Sequence, residues 1–256
     1  MTLSVTLTAL PGIPLVEPGA DLGQIVLGAL EQGGIQLADG DILLVAHKII
    51  SKAEGRLVCL SDVEAGERAR ELAELTGKDA RYLQVVLDEA VSVERVRHGL
   101  IVTEQRGGWV VANSAVDHSN VEPEEGEERL VLLPLDPDAS ARALRARLRE
   151  ATGATVAIII NDTHGRPFRI GAVGVAIGVA GILPVADLRG TQDLFGYTLQ
   201  TTEIATADEI ASAASMLQGQ RAEGTPVVHI RGLPFVESKD ATARALQRPR
   251  ELDMFR

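Results

Sequence analysis

The chain has 256 residues, 45% of them hydrophobic and 24% charged, which is too apolar for intrinsic disorder. Aromatics make up only 3%, so the core has to be aliphatic. Its 25 Lys+Arg stand against 36 Asp+Glu for a net charge of −11, which excludes the basic face that general nucleic-acid binding needs.

The length fits one large domain or two intertwined ones. The single cysteine, Cys59, rules out an intrachain disulfide and any Cys-rich metal cluster; its apolar neighbours predict a plain buried thiol. Met1–Leu15 has no basic start before an apolar stretch, so no signal peptide is expected and a reducing, cytoplasmic setting is.

In chain order, Leu3–Leu10 alternates apolar and polar residues and predicts a strand, broken by Pro11-Gly12-Ile13-Pro14. Asp21–Gln32 predicts a helix with Asp21 as N-cap and Gly33-Gly34 as its stop. Asp41–Ala46 is a short apolar run expected as a buried strand. Ser61–Leu75 predicts a charged amphipathic helix, with Ser61 and Glu64 at capping-box spacing, ended by Gly77. A second helix follows over Asp79–Ala90. Leu100–Ala112 predicts a hairpin turning at Arg106-Gly107-Gly108, and Glu122–Glu128 an acidic solvated loop.

Asp136–Glu150 predicts a helix stopped by Gly153, and Thr155–Ile160 the clearest buried strand. Ile170–Ala186 carries no charge and just reaches a spanning length of roughly 17 residues, but Gly171, Gly174, Gly178, Gly181 and Pro184 favour backbone packed inside the protein over a membrane helix. Thr206–Leu217 predicts an alanine-rich helix ending at Gly219, and Pro226–Ile230 a last strand; Glu237–Arg256 is a polar, mixed tail. Irregular alternation with hairpins predicts an α+β fold, with mixed or antiparallel sheets and flanking helices.

No P-loop, dinucleotide fingerprint, zincin or nucleophile-elbow pattern occurs, and the five histidines show no zinc spacing. Three polar clusters follow apolar strands. In His47–Arg56, Lys48, Lys52 and Arg56 recur every four residues around Ser51 and Gly55, which fits an anion cradle or, equally, a solvated basic turn. In Ala112–Asn120, Asp117 and Asn120 offer oxygen ligands, although by itself the segment reads better as an Asx-rich loop. In Ile160–Arg169, Asp162 follows the buried strand as a carboxylate ligand for Mg²⁺ or Mn²⁺ would. Thr163 adds a hydroxyl, and Arg166 and Arg169 add phosphate donors; the alternative is a strand-ending turn. Together the clusters support a metal-dependent phosphoryl-transfer site without naming its substrate.

KIISKAEGR (48–56), NSAVDHSNV (113–121), LPLDPDASARALR (133–145), NDTHGRPFRIGAVGVAIGVAGI (161–182), DLRGTQDLFG (187–196) and ADEIASAASMLQG (207–219), in this order, resemble the γ-glutamyl ligase family of coenzyme F420 biosynthesis. The resemblance runs from about Leu10 to Leu233, so residues 1–233 are expected to form the ligase domain, possibly as two intertwined lobes, with 234–256 as a tail and no fused nitroreductase domain. It implies an unusual α+β fold forming an intertwined homodimer. It also implies GTP-dependent addition of L-glutamate to the lactyl carboxylate of F420-0, then further γ-linked glutamates, through an acyl phosphate. Mg²⁺ or Mn²⁺ is implied as the metal, with K⁺ assisting. Carried onto this chain, Asp117, Asp162, Thr163 and Gln220 resemble metal ligands, Gln220 being an amide where a carboxylate would bind more strongly. Leu10, Pro11, Gly12, Ile13, His47, Lys48, Lys52 and Asn120 resemble GTP contacts, as does the loop Gln218, Gly219, Gln220, Arg221, Ala222, Glu223, Gly224 and Thr225. Lys52, Asp117 and Asp162 are the implied catalytic residues, and Arg56 or Arg166 further phosphoryl contacts. The competing readings are another metal- and nucleotide-dependent amide ligase or phosphotransferase, and a non-catalytic GTP- or deazaflavin-binding protein.

Overall fold

A computed structural model describes residues 3–123 and 126–254. Glu124 and Glu125 of the acidic stretch, Met1 and Thr2, and Phe255 and Arg256 of the tail lie outside the described residues. The elements run β1 (Thr6–Ala9), α1 (Leu22–Gln32), β2 (Ile42–Ala46), α2 (His47–Ala53) and β3 (Leu57–Cys59), then α3 (Glu67–Thr76) and α4 (Ala80–Glu89). Four strands follow: β4 (Ala90–Arg97), β5 (Leu100–Gln105), β6 (Val110–Ala112) and β7 (Arg129–Val131). Then come α5 (Pro137–Thr152), β8 (Ala157–Gly165), β9 (Ala172–Ala180), the short pair β10 (Ala186–Asp187) and β11 (Glu203–Ile204), α6 (Thr206–Gln218) and β12 (Val227–Arg231). The fold is α+β with mixed and antiparallel sheets.

The main sheet has the order β1-β12-β2-β8-β9, in which only β2 and β8 are parallel. Both are apolar because both faces of the sheet are covered. Leu43, Val45, Ile158 and Ile160 point to one face, where α1, α2 and α5 pack. Ile42, Leu44, Ala157 and Ile159 point to the other, under α6. Burying each such Leu or Ile contributes about 1.5–3 kcal/mol. The helices start as their caps direct: Asp21 accepts from the Gln24 amide and Asp136 from the Ala139 amide, while Gly153 takes the left-handed cap that ends α5.

A smaller lobe is built from α3, α4, the β3–β7 pair and the β4-β5-β6 sheet around Leu72, Leu83, Val86, Ile101 and Leu130. Here the structure departs from the expected helix over Ser61–Leu75. Leu60–Asp62 is a 3₁₀ turn, and α3 begins only at Glu67. Gln84 Oε1 accepts from the Gly66 amide, so a tertiary contact from α4 replaces the Ser61–Glu64 capping box. β4 has no counterpart in the sequence reading. Cys59 is half-buried, with Sγ 3.1 Å from Ser61 Oγ, rather than sealed in the core.

The uncharged glycine-rich segment supplies β9, the strand against β8, and no described helix is long and apolar enough to cross a membrane. Its glycines admit elements of the same chain. A Cβ at Gly174 would lie 2.5 Å from Ala211 O of α6, and one at Gly178 2.5 Å from Pro137 O of α5. Gly174 and Gly178 thus let α6 and α5 of the same chain approach β9 closely. The tail also packs back: Ala243 is fully buried and its amide bonds to Asp138.

Candidate functional site

The parallel pairing of β2 with β8 ends at Ala46 and Asn161, and the crevice beyond the carboxyl ends of parallel strands is where ligands commonly bind. A cavity of about 1070 Å³ lies there. β2 passes directly into α2, so His47 is its first helical residue. β8 does not stop at Ile160, as the sequence predicts, but passes a bulge before Asn161 and continues from Asp162 to Gly165 paired with β9 alone. Asp162 thus sits on a strand projecting past the sheet, aimed beside the bulge.

Two imidazoles flank Asp162. His47 Nε2 lies 3.3 Å from Oδ1 and His164 Nε2 lies 3.0 Å from Oδ2. Burial opposes ionisation of Asp162, but the charge of His47 and the hydrogen bonds from His164 and His47 outweigh it and hold the carboxyl far below its usual range. Behind His47, Nδ1 lies 3.3 Å from the buried Ser51 Oγ. Asn161 and Gln218 exchange amide hydrogen bonds of 2.9 and 3.1 Å, and Gln218 Nε2 also donates to Pro226 O. That buried pair ties the strand carrying Asp162 to the start of the loop 219–225.

Lys48 and Lys52 lie one turn apart on α2, and Arg56 follows a turn at Glu54-Gly55 beyond its end. Lys48 Nζ donates to Asp117 Oδ2 at 2.7 Å and to Ser119 Oγ and O. Lys52 Nζ donates to Asn120 O at 2.7 Å, and Asn120 Nδ2 donates to Arg221 O at 2.9 Å. Burial opposes the charge on Asp117, but the Lys48 ammonium and the Ser119 amide outweigh it and keep the carboxyl below its usual range. Burial, helped by the charge of Lys48, pulls Lys52 below the ordinary lysine range.

The cavity brings together Ile13, His47, Lys48, Lys52, Asp117, Asn120, Asp162 and Thr163. Gln218, Gly219, Gln220, Arg221, Ala222, Glu223, Gly224 and Thr225 form a further wall. Leu10, Pro11 and Gly12 are not on its lining: Leu10 is fully buried in the core, Pro11 is exposed, and Gly12 packs on Gln32. Arg56 leaves the expected cradle, donating to Leu133 O and pairing with Glu89 at 2.8 Å. Arg166 turns to Gly171 O at the tip of the β8–β9 hairpin. Sequence reasoning gave no role to Glu17, Ser119, Glu122 and Arg129, which line the cavity, or to Ser51 and His164, which stand behind it. His164 and Ser119 lay inside the polar clusters; Glu17, between two prolines, carried no signal.

Among the described residues no three His, Cys, Asp or Glu side chains form a cage able to hold a metal alone. The donors that share the cavity, the carboxylates of Asp117 and Asp162 and the Thr163 hydroxyl, are hard oxygens. Such a donor set fits a hard divalent cation such as Mg²⁺ or Mn²⁺, which is commonly bound through one or two carboxylates.

The family model described as F420-0:Gamma-glutamyl ligase matches residues 12–232. The chain is similar to the coenzyme F420:L-glutamate ligase of Methanothermobacter thermautotrophicus, 46% identical over 255 residues, which span 99% of this chain and 100% of that one. It is 48% identical to the enzyme of the same name from Methanopyrus kandleri, over 94% of this chain and 93% of that one. The Methanocaldococcus jannaschii enzyme of that name is 46% identical over 86% of each chain. The chain belongs to the F420-0:γ-glutamyl ligase family.

Proposed function

We propose that the protein is a GTP-dependent ligase that joins L-glutamate to the lactyl carboxylate of F420-0 and then adds further γ-linked glutamates. The observation that carries this reading is the gathering of Lys48, Lys52, Asp117 and Asp162 in one cavity beyond the end of the β2–β8 pairing, in a chain of this family. A carboxylate is a poor acyl donor because oxide would have to leave. Transfer of the γ-phosphoryl group of GTP makes an acyl phosphate, phosphate becomes the leaving group, and the glutamate amine forms the amide.

Lys52, and Lys48 beside it, supply point charges for phosphate oxygens. Asp117 and Asp162, with Thr163, are the groups that would hold Mg²⁺ or Mn²⁺; Gln220 lines the same cavity as a weaker ligand. The bound cation supplies charge neutralisation where two anions meet. K⁺ is proposed as an assisting ion. His47 and His164 keep the Asp162 carboxylate oriented. The loop 218–225 closes one side of the nucleotide position, held by Asn120. The working unit is proposed to be a homodimer: Phe168, Ile170, Leu194 and Phe195 are at least nine-tenths exposed in a chain poor in aromatics.

The test is mass spectrometry of F420-0 after incubation with protein, GTP, Mn²⁺ and L-glutamate. The expected product is heavier by one or more glutamyl residues, and none forms without nucleotide. Glutamylation of unrelated acids in preference to F420-0, or nucleotide binding with no amide product, overturns the reading.

A further inference from the structure

Asn113, Ser114 and Ala115 have φ of 55°, 53° and 57°, three consecutive non-glycine residues in the left-handed region. Such a run is disfavoured for every L-residue in it, so something else in the fold has to hold it. Asparagine adopts this conformation more readily than serine or alanine, and glycine at 114 would be the easy solution.

The hydrogen bonds of Ser114 account for its choice. It is 1% exposed. Its amide donates to Thr103 Oγ1 at 2.9 Å, and its hydroxyl donates to Val86 O at 2.8 Å. With that proton committed, the 2.8 Å contact between the two hydroxyls has Thr103 as donor and Ser114 as acceptor. The turn is thereby bolted to α4 and β5. The Val116 amide closes it on Asn113 O, and the Asp117 amide then bonds Val131 O, which turns the chain toward α2. Past the turn Val116 packs in the small-lobe core and Asp117 meets Lys48.

We infer that Ser114 is a positioning residue: its buried hydroxyl holds the left-handed turn that delivers the Asp117 carboxylate to Lys48 and the cavity. The inference rests on the proposed ligase reading only for its activity readout.

The test is a double-mutant cycle of Ser114→Ala and Asp117→Asn, with crystal structures of the single variants. Ser114→Ala should lower kcat/KM for glutamylation tenfold or more in the wild-type background and less than twofold in the Asp117→Asn background. A role confined to stability predicts equal losses in both, and that result overturns the inference. In the crystal of Ser114→Ala the 2.7 Å contact between Lys48 and Asp117 should be broken, and its retention overturns the inference even if no ligase activity is found. Ser114→Gly should be impaired like Ser114→Ala; full activity there would mean that backbone ease alone is needed. If Ser114→Ala does not fold, Thr103→Val takes its place in the same cycle.

Discussion

Lys48 Nζ donates to Asp117 Oδ2 at 2.7 Å across 69 positions of sequence, joining the helix that follows β2 to the strained exit of the small lobe. Neither partner is fully buried, so the pair adds little to stability. Its consequence is local. It brings a cation and a carboxylate to the same wall of the cavity, where each fixes the other's rotamer, and a polyanionic ligand would compete with Asp117 for Lys48.

Asp162→Asn should lower kcat/KM about a hundredfold or more while leaving the circular dichroism spectrum unchanged, the scale seen when one preorganised electrostatic group is lost. The amide keeps the shape but not the charge that His47 and His164 surround. Near-normal turnover at ordinary metal concentrations would remove Asp162 from the proposed ligand set.

Lys52→Ala should weaken GTP binding by roughly 1.5–3 kcal/mol, the loss of a charge-assisted contact. Because Lys52 also holds Asn120 O, Lys52→Met should reproduce the loss while keeping the apolar stem. Calorimetry with GTP that returns wild-type affinity for both would leave Lys52 only a tie to the 117–121 loop.

Asp21 caps α1 as the sequence predicts, and Asp79 and Asp136, read there only as the first residues of their helices, cap α4 and α5 through equally local bonds. The Ser61–Glu64 signal failed because Gln84, far along the chain, offered the Gly66 amide a better partner. The polar residues after each apolar strand marked the site, because the parallel pair β2 and β8 ends there. Which cations would face inward was not legible: Lys48, Lys52 and Arg56 share one spacing, and the buried Glu89 together with Leu133 O draws Arg56 away. Glu17 and Arg129 reach the cavity by tertiary placement alone.

Gln218→Leu should destabilise the fold by about 1–3 kcal/mol, since it leaves the buried Asn161 amide without its partner. The loop 219–225 should loosen with it. Thermal denaturation reports the first effect, and faster amide exchange confined to that loop reports the second. An unchanged melting temperature would show that water replaces the lost amide.

Asp41 gives the fold an acid-sensitive tie. It is 2% exposed, accepts two hydrogen bonds from Arg231, and has His229 Nε2 at 2.9 Å. Burial opposes its charge, but the Arg231 and His229 contacts and the Ala38 amide outweigh it and lower its pKa from 3.8. The folded value is below the unfolded one, so the stabilisation is present above about pH 3.8 and disappears as pH falls below it. Urea midpoints should therefore favour wild type over Asp41→Asn at pH 6, and the gap should narrow below pH 3.8. A gap that stays constant would place the effect in packing.

Two substitutions separate assembly from folding. Phe195 is 94% exposed and Phe168 90%, and aromatics of this size gain most by being covered. If they lie in the proposed dimer interface, Phe195→Asp should shift the light-scattering mass from twice 27.2 kDa toward 27.2 kDa with little change in secondary structure. Gly178→Val should behave differently. Its new side chain would run into Pro137 O of the same chain, so α5 has to move off β9 and the melting temperature should fall at every protein concentration. A wild-type monomer that is fully active at assay concentration would refute the dimer. A Gly178→Val protein that dissociates without losing stability would instead place that glycine at the interface.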